Sequence, residues 1–462
     1  MLYISLKMVL LVALAWQCST MTAAGQDAPV QMTIVGPRCW LSEMNTYSAA
    51  RRPDVVCHVV AWEDLVEAQP GTDEPEKIKR YLYEQWKQSK IDHVLLIGDA
   101  SVMPVRYMVL DRVTPAAHDY AFYASDLYYA DLAKSDGGFE NWNGVTEGFH
   151  GQYFGEVRGE KHKTDPINYD QIDYRPEIGV GRWPVRTIEE FETIAGKSLE
   201  HERQIRARST DSRTVGFISV DGWIDSRPSL DLAAEHLTGW TIEKRYYADR
   251  TRNDLTAPPS ASEVKSLFGK KARLLFHAGH GHPDRWHDCV SLAQLLDVDT
   301  AGHWPIIFSV GCSTAVFAPQ APYEPYVDID GVHHEGTNAG EVFRSPPPAV
   351  APLQPVELTC RSMGTDLLVA TPRGAVAYFG CATGSQPCGL TLLRGFVSAV
   401  PNEAANPPVR LGDAYRKMID YYVDAERLSE LKPTESWYPP SIFFQGMKFV
   451  LFGDPSLTLP CK

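Results

Sequence analysis

The chain has no surplus of positive charge, no low-complexity tract, no internal repeat and, past its first few dozen residues, no long apolar run. Each absence removes a class of protein. With 44 basic against 58 acidic residues the formal charge is −14. That argues against nucleic acid as the main partner, because binding a polyanion needs Lys and Arg to displace its counterions. Cationic or basic peptides remain open as partners. Without a later stretch of about 20 apolar residues, no such segment spans a bilayer as a helix. Without a repeat of solenoid length, stacked-repeat architectures drop out. A balance of 44% hydrophobic and 22% charged residues is that of a folded protein and removes disorder. What remains is a globular chain of 462 residues, too long for one core of average size. One large or two fused α/β units are expected.

The amino terminus has the parts of an export signal. Lys7 supplies a positive start, Met8 to Trp16 form an apolar stretch too short to cross a bilayer, and Thr22-Ala23-Ala24 offer small residues for cleavage. A buried first strand is the competing reading. Trp16 and Gln17 are too bulky for a typical lipobox at Cys18. The pattern predicts a signal peptide over residues 1–24 and a secreted or periplasmic mature protein. Nine cysteines in an exported chain suggest disulfides, and eight remain after loss of Cys18. Cys39 with Cys57, and Cys381 with Cys388, are the local pairs to consider, although spacing does not fix connectivity.

Strand-like and helix-like segments then alternate, which indicates βαβ units and a mostly parallel sheet. Met32 to Val35, Val55 to Val60 and His93 to Ile97 read as strands, and Glu76 to Trp86 reads as a helix with Ile78, Tyr81, Leu82 and Trp86 on one face. Ser125 opens a polar, aromatic, Gly-rich stretch to about residue 170 that reads as a long surface loop. Glu177 to Arg182 is a further strand and turn. Thr187-Ile188-Glu189-Glu190 has capping-box spacing and starts a helix towards Ile205. A basic linker, Arg206 to Arg213, divides an N-terminal unit (31–205) from a C-terminal one (213–462). Thr214 to Val220, Leu274 to Ala278, Ile306 to Val310, Gly374 to Gly380 and Phe449 to Phe452 are the strands of the second unit, with short helices at 230–237 and 292–296. A Pro-rich insertion occupies 319–355.

Two of these strands end in reactive side chains. Leu274-Leu275-Phe276-His277-Ala278 stops at Gly279-His280-Gly281, and Ile306-Ile307-Phe308-Ser309 stops at Val310-Gly311-Cys312. In a parallel sheet the carboxyl ends of neighbouring strands line one crevice, where ligands bind. A thiol and an imidazole delivered there make a nucleophile and its acid–base partner. Main-chain N–H groups at the turn would favour the Cys312 thiolate, and Gly311 would let a substrate backbone approach. His280 would protonate the leaving amine. The N–H groups of Gly281 and Cys312 would form an oxyanion hole. Asp221, at the end of the preceding strand, would orient the imidazole. His277 lies inside its strand and is expected to pack. The bland readings are a small buried cysteine, a turn histidine and an ordinary Asp-Gly turn.

A metal-dependent hydrolase is the alternative chemistry. His277, His280, His282, Asp284 and His287 cluster, and His280-Gly281-His282-Pro283-Asp284 resembles the metallo-β-lactamase pattern. That pattern requires a histidine after the aspartate, where this chain has Arg285.

The His turn over Phe276–Gly281, the Val310-Gly311-Cys312 turn and the closing Phe452-Gly453-Asp454-Pro455-Ser456 resemble gingipain-type cysteine peptidases, family C25 of the caspase-like clan. Leu95 to Asp99, Ser125 to Tyr129 and Gly179 to Arg182 add to the likeness, which runs from about residue 31 to 460 in the family's order. His280 and Cys312 stand 32 residues apart, close to the family's separation. The resemblance implies a caspase-like α/β fold of two fused subdomains. It also implies a secreted cysteine endopeptidase acting on proteins or peptides through a Cys312–His280 dyad, with Asp221 in the place of the acidic third member. It further implies that Asp231 sits at the bottom of the S1 pocket, giving cleavage after Arg or Lys. No cofactor is implied for catalysis, but structural calcium is, with Asp126, Asp131, Asp328 and Asp330 as candidate oxygen ligands. A catalytically inactive, peptidase-like binding protein is the other class that fits these motifs.

Overall fold

The computed structural model describes residues 29–109, 122–142, 167, 171–207, 213–248, 258–269, 272–318, 325–328, 330–335, 341, 361–402, 405, 407–432 and 438–461. The expected signal peptide and most of the 319–355 insertion lie outside these residues. Ten strands build one sheet: β1 (Val30–Gly36), β2 (Val55–Ala61), β3 (His93–Ile97), β4 (Gly179–Trp183), β5 (Thr214–Ser219), β6 (Thr241–Tyr246), β7 (Leu274–Ala278), β8 (Ile306–Ser309), β9 (Ala377–Cys381) and β10 (Phe449–Phe452). Their order across the sheet is β2-β1-β3-β4-β10-β9-β8-β7-β5-β6.

The sheet is two parallel sets laid edge to edge. β1 to β4 are mutually parallel, as are β5 to β9. β10, the last strand of the chain, runs parallel to β4 and antiparallel to β9. The two sets therefore point in opposite directions and meet at the β10–β9 pair. Helices α1 (Leu41–Arg51), α2 (Glu74–Ser89), α3 (Ile188–Ala207), α4 (Arg227–Ala234), α5 (Ala261–Gly269), α6 (Met363–Val369), α7 (Gly389–Ala399) and α8 (Leu411–Ala425) complete the crossovers. Central strands β3, β4, β7, β8, β9 and β10 are buried along their whole length. Such strands are covered on both faces, which is why they read as continuous apolar runs. Stacked rings form the core of the second set: Phe217 on Phe276 at 4.9 Å, and Phe308 on Phe379 at 5.6 Å.

Local chemistry sets the helix ends. Asp73 caps α2, its carboxylate accepting the Glu76 N–H at 3.0 Å, and Lys90 in the left-handed region (φ 54°) ends it. The helix is thus longer at both ends than its apolar face predicts. At α3 only half of the capping box forms. The Thr187 hydroxyl accepts the Glu190 N–H at 3.3 Å, while Glu190 turns to Arg186 and Arg361. Edge strand β6 has a half-polar sequence, Thr-Ile-Glu-Lys-Arg-Tyr, that gives no strand signal on its own.

The stretch after Ser125 corrects an expectation. Instead of starting a surface loop, residues 124–133 are buried and wrap into a 3₁₀ turn over Asp126–Tyr129. The cause is an ion pair. Both carboxylate oxygens of Asp126 accept from Arg182, at 2.7 Å from Nε and 2.6 Å from a terminal nitrogen, and both residues are fully buried. The disulfides expected at Cys39/Cys57 and Cys381/Cys388 do not form, and none of the seven described cysteines is in a disulfide.

Removing one partner of a buried, hydrogen-bonded ion pair strands the other charge in the core. Asp126→Ala should therefore cost about 3–5 kcal/mol, read as a fall in the urea midpoint. An unchanged midpoint would show that the pair does not hold this segment.

Candidate active site

Register does the first part of the assembly. β7 and β8 are in step, with Phe276 beside Phe308 and His277 beside Ser309. β5 flanks β7 with Ser219 beside Ala278, and β9 flanks β8 with Phe379 beside Phe308. Four strand ends thus arrive at one edge of the sheet. Gly279 leaves β7 at φ 122°, and a Cβ there would stand 2.4 Å from the Val220 carbonyl oxygen, so only glycine fits. The next N–H, that of His280, donates to the Asp221 carbonyl at 2.7 Å. Gly281 and Gly311 then touch backbone to backbone. A Cβ on Gly281 would lie 2.8 Å from the Gly311 Cα, and one on Gly311 would lie 3.0 Å from Cε1 of His277. Gly311 is therefore needed for the approach of Gly281 and the His277 ring, rather than for the approach of a substrate.

This contact brings His280 and Cys312 to the wall of one open pocket of about 430 Å³, measured out to solvent. Gly222, Trp223, Ile224 and Ser226 line it from the β5 turn, and Ala278 and Gly279 from the end of β7. Val310 lines it from the β8 turn, and Ser385, Gln386, Pro387 and Leu390 from the segment after β9 and the start of α7. Gly281 lies buried behind this surface against Gly311 and Thr314. No hydrogen bond joins the Cys312 thiol to the His280 ring among the described residues.

Burial dominates the electrostatics. The thiol donates to the Ser385 carbonyl at 3.5 Å and accepts the Ser385 N–H at 3.3 Å. Burial pushes the Cys312 thiol up, against the opposing pull of that N–H and of the Lys448 charge. Main-chain donors were expected to favour the thiolate. Ser385 does pull that way, and desolvation outweighs it. Burial and the neighbouring His287 pull His280 below its ordinary value, and Asp221 opposes them. Near neutral pH the resting pair is thus a thiol and an uncharged imidazole.

Asp221 acts differently from a triad acid. Its carboxylate is exposed and accepts the N–H of Gly222 at 2.9 Å. Its hold on His280 is through the backbone carbonyl, leaving only a long-range charge effect for the side chain. His277 packs, as expected. Its Nδ1 meets the Ser309 hydroxyl at 2.9 Å, its ring stacks on Trp286 at 4.4 Å, and burial drops its pKa to about 3.

Most of the carboxylates and histidines proposed as metal ligands are engaged with other groups of the protein. Asp126 is committed to Arg182, and Asp131 accepts the Trp142 indole N–H at 2.7 Å. Asp328 accepts from the N–H groups of Asp330 and Val332 and contacts the His334 ring at 3.0 Å, while Asp330 is exposed. The His282 and His287 rings meet each other at 3.2 Å, and Asp284 pairs with Arg285. Among the described residues no group of three or more such side chains is arranged to hold a metal ion.

Asp231 is not in the pocket either. It is exposed on α4, paired with Lys244 at 2.6 Å and accepting the Tyr246 hydroxyl at 2.9 Å, both on β6. The Lys244 ammonium holds its carboxyl below the usual range. The residues that sequence reasoning missed are Trp223, Ile224, Ser385, Gln386 and the buried Lys448. None sits in a pattern of its own. Only the exposed apolar pair Trp223-Ile224, directly after a strand-end Asp-Gly, offered a signal.

The description "Peptidase family C25" matches residues 25–460. A crystal structure of the Arg-specific cysteine proteinase gingipain R is similar at 16% identity, covering 95% of this chain and 80% of its own, with a TM-score of 0.59. A complex of the pro- and mature domains of the Porphyromonas gingivalis protease RgpB is similar at 15% identity, covering 93% and 79%, with a TM-score of 0.58. A structure described only as a protease is similar at 13% identity, covering 94% and 79%, with a TM-score of 0.58. At these identities the structures establish the shared fold. No curated protein matches the chain.

A thiol held above its ordinary value of about 8.5 titrates late. The rate of Cys312 alkylation by iodoacetamide should climb with pH through that value. It should not show the plateau across about pH 6–8 that a preformed thiolate–imidazolium pair gives. A pH-independent rate across neutrality would overturn this resting state.

Proposed function

This chain belongs to peptidase family C25, a family of cysteine endopeptidases, and we propose that its chemistry runs through Cys312 and His280. The observation that carries the assignment is that thiol and imidazole, delivered by two adjacent strands, line one pocket. The Cys312 proton passes to His280 as the sulfur attacks the scissile carbonyl carbon. The tetrahedral oxyanion then collapses, the C–N bond breaks, and His280 gives its proton to the departing amine. Water attacks the thioester, with His280 taking one proton, and the thiol is restored as the acid product leaves. The N–H groups of Gly281 and Cys312 are the donors proposed for the oxyanion, held by the Gly281–Gly311 contact.

Asp221 is a positioning residue on this reading, fixing the imidazole through its carbonyl bond to the His280 N–H. Protein or peptide substrates follow from the reaction. Export rests on the amino-terminal pattern of Lys7, Met8–Trp16 and Thr22-Ala23-Ala24. No helix among the described residues is long and apolar enough to cross a membrane. A preference for Arg or Lys through Asp231 would require that carboxylate to abandon Lys244 and Tyr246, and nothing in the geometry supports it.

Cys312→Ala should abolish cleavage of a denatured protein substrate, and His280→Ala should lower kcat/KM by about 10²–10⁴-fold. Asp221→Asn keeps the backbone carbonyl and should cost less than about tenfold, unlike a triad acid, whose loss is far costlier. Wild-type turnover in His280→Ala would sink the dyad. A large loss in Asp221→Asn would restore the carboxylate to the mechanism.

A further inference from the structure

We propose that the sulfur anion formed at Cys312 during attack is received by the main-chain N–H of Ser385, and that Gln445 and Lys448 are positioning residues, one fixing this donor and the other placing a positive charge behind it. The inference rests on the peptidase reading above and adds the groups that make the thiol reactive.

Only the thiolate is a strong nucleophile. At rest Cys312 is a thiol and His280 an uncharged imidazole, because burial acts on both. Moving the proton from sulfur to ring therefore creates a negative charge in a poorly solvated place, and a donor already fixed on the sulfur lowers that barrier without reorganisation. The Ser385 N–H is such a donor, 3.3 Å from Sγ. In the resting state the Ser385 carbonyl accepts the thiol proton at 3.5 Å. When His280 takes that proton, the carbonyl contact is lost and the N–H contact strengthens, since hydrogen bonds to an ionised acceptor are about twice as strong as neutral ones. The gain is larger in the transition state than at rest, which is the condition for raising kcat.

Ser385 lies in the loop beyond β9, and it is held there. Gln445, the last residue of α9 (Tyr438–Gln445), is fully buried and donates to the Ser385 hydroxyl at 3.1 Å. Gly389, at the start of α7, packs on the pair: a Cβ there would lie 3.1 Å from the Ser385 hydroxyl oxygen and 3.4 Å from Nε2 of Gln445. The chain leading to Ser385 is joined on both sides. The N–H groups of Ser313 and Ala315 donate to the carbonyls of Thr383 and Cys381 at 2.8 and 3.0 Å, and the Ala382 N–H donates to the Lys448 carbonyl at 2.8 Å. The donor is thus fixed relative to the nucleophile turn.

The 3₁₀ turn after Gln445, Gly446–Lys448, brings in Lys448, whose side chain is 3% exposed. Lysine is among the residues least often buried. This one stands across from Ala382, with only residues 381–383 between it and the nucleophile turn. Its positive charge favours the ionised forms of both Cys312 and Cys381. The other titratable groups around the thiol are His280 on the β7 turn, Asp221 and Asp225 on the β5 turn, Cys381 at the end of β9 and Cys388 just before α7. Both carboxylates are exposed, and Asp225 pairs with Arg227 at 2.8 Å. Burial pushes the Cys381 thiol up to about 12, so it stays neutral.

The test uses the full chain with Gln445→Leu, Lys448→Met and Lys448→Arg. The pH dependence of Cys312 alkylation by iodoacetamide is measured beside kcat and KM on a denatured protein substrate, with far-UV circular dichroism confirming the fold. Lys448→Met should move the alkylation midpoint up by about one pH unit or more. It should lower kcat by about tenfold or more with little change in KM. Lys448→Arg, which keeps the charge, should stay close to wild type in both. Gln445→Leu should move the midpoint in the same direction and lower kcat by about tenfold. Lys448→Gln takes the place of Lys448→Met if that variant does not fold. A merely structural role would weaken folding and leave the alkylation curve of the folded protein where it was. An unmoved curve in Gln445→Leu or in the folded neutral variant of Lys448 therefore overturns the inference, as does a Lys448→Arg curve displaced as far as the neutral one. Wild type alkylated at Cys312 yet cleaving no substrate overturns the peptidase reading, while the alkylation curves still decide the sulfur site.

Discussion

The site depends on one contact, the backbone-to-backbone approach of Gly281 and Gly311. Two strands in register deliver their ends side by side, but a strand spacing of about 4.8 Å leaves no guarantee that the turns beyond them converge. Here they converge because neither turn carries a side chain where they meet. A Cβ on either glycine would stand within 3 Å of the other's backbone. His277 packs against the same place, fixed by Ser309 and stacked on Trp286, so the floor beneath the contact is rigid and uncharged. His280 and Cys312 are the residues next to this contact, one on each turn. Their placement is a consequence of packing at two positions without side chains.

The reversal of the sheet gives the catalytic half its support. β10 comes from the end of the chain, yet it fills the gap between β4 and β9. Gly181 admits the Gly453 carbonyl, which would lie 2.3 Å from any Cβ at that position. Directly after it, Asp454 accepts the Tyr47 hydroxyl at 2.5 Å and the Ser456 N–H at 2.7 Å, while Arg51 donates to the Ser456 hydroxyl at 2.9 Å. These buried groups tie α1 of the first set to the last residues of the chain. They explain a motif, Phe452 to Ser456, that has no chemistry of its own. Lys448, which adds positive charge near the thiol, is carried on the same returning segment. The first set is thus the frame on which the strand behind the nucleophile is hung.

Much of the fold was legible because the central strands are buried on both faces and so appear as unbroken apolar runs ended by glycine. β6 was not, since an edge strand needs only intermittent burial and its Glu, Lys and Arg give no alternation to read. The 124–133 segment was misread for a related reason. Asp126 and Asp131 look like surface residues until Arg182, 56 residues further on, and the Trp142 indole are placed against them. Cys312 and His280 were legible as strand-end residues. Asp221 was legible in place but not in role, because a backbone carbonyl leaves no trace in the choice of side chain. Gln386 and Ser385 were invisible: they arrive from the loop beyond β9, and only the pairing of β8 with β9 brings that loop to the thiol.

Charge acts on this molecule at two distances that are easily confused. The formal charge of −14 suits cationic partners, and read alone it agrees with cleavage after Arg or Lys. That field works through solvent and fades over about 8 Å at physiological ionic strength, so it favours encounter with basic polypeptides wherever their charges lie. Choice at the scissile bond is made inside the pocket, at hydrogen-bonding distance and out of water, where only the groups in the wall count. Those described lining groups are apolar or neutral, Asp231 is paired with Lys244 on the outer edge of the sheet, and the exposed Asp221 carboxylate stands beside Gly222. Overall acidity therefore carries no weight for the choice of P1 side chain, which rests with the groups in and beside the pocket wall.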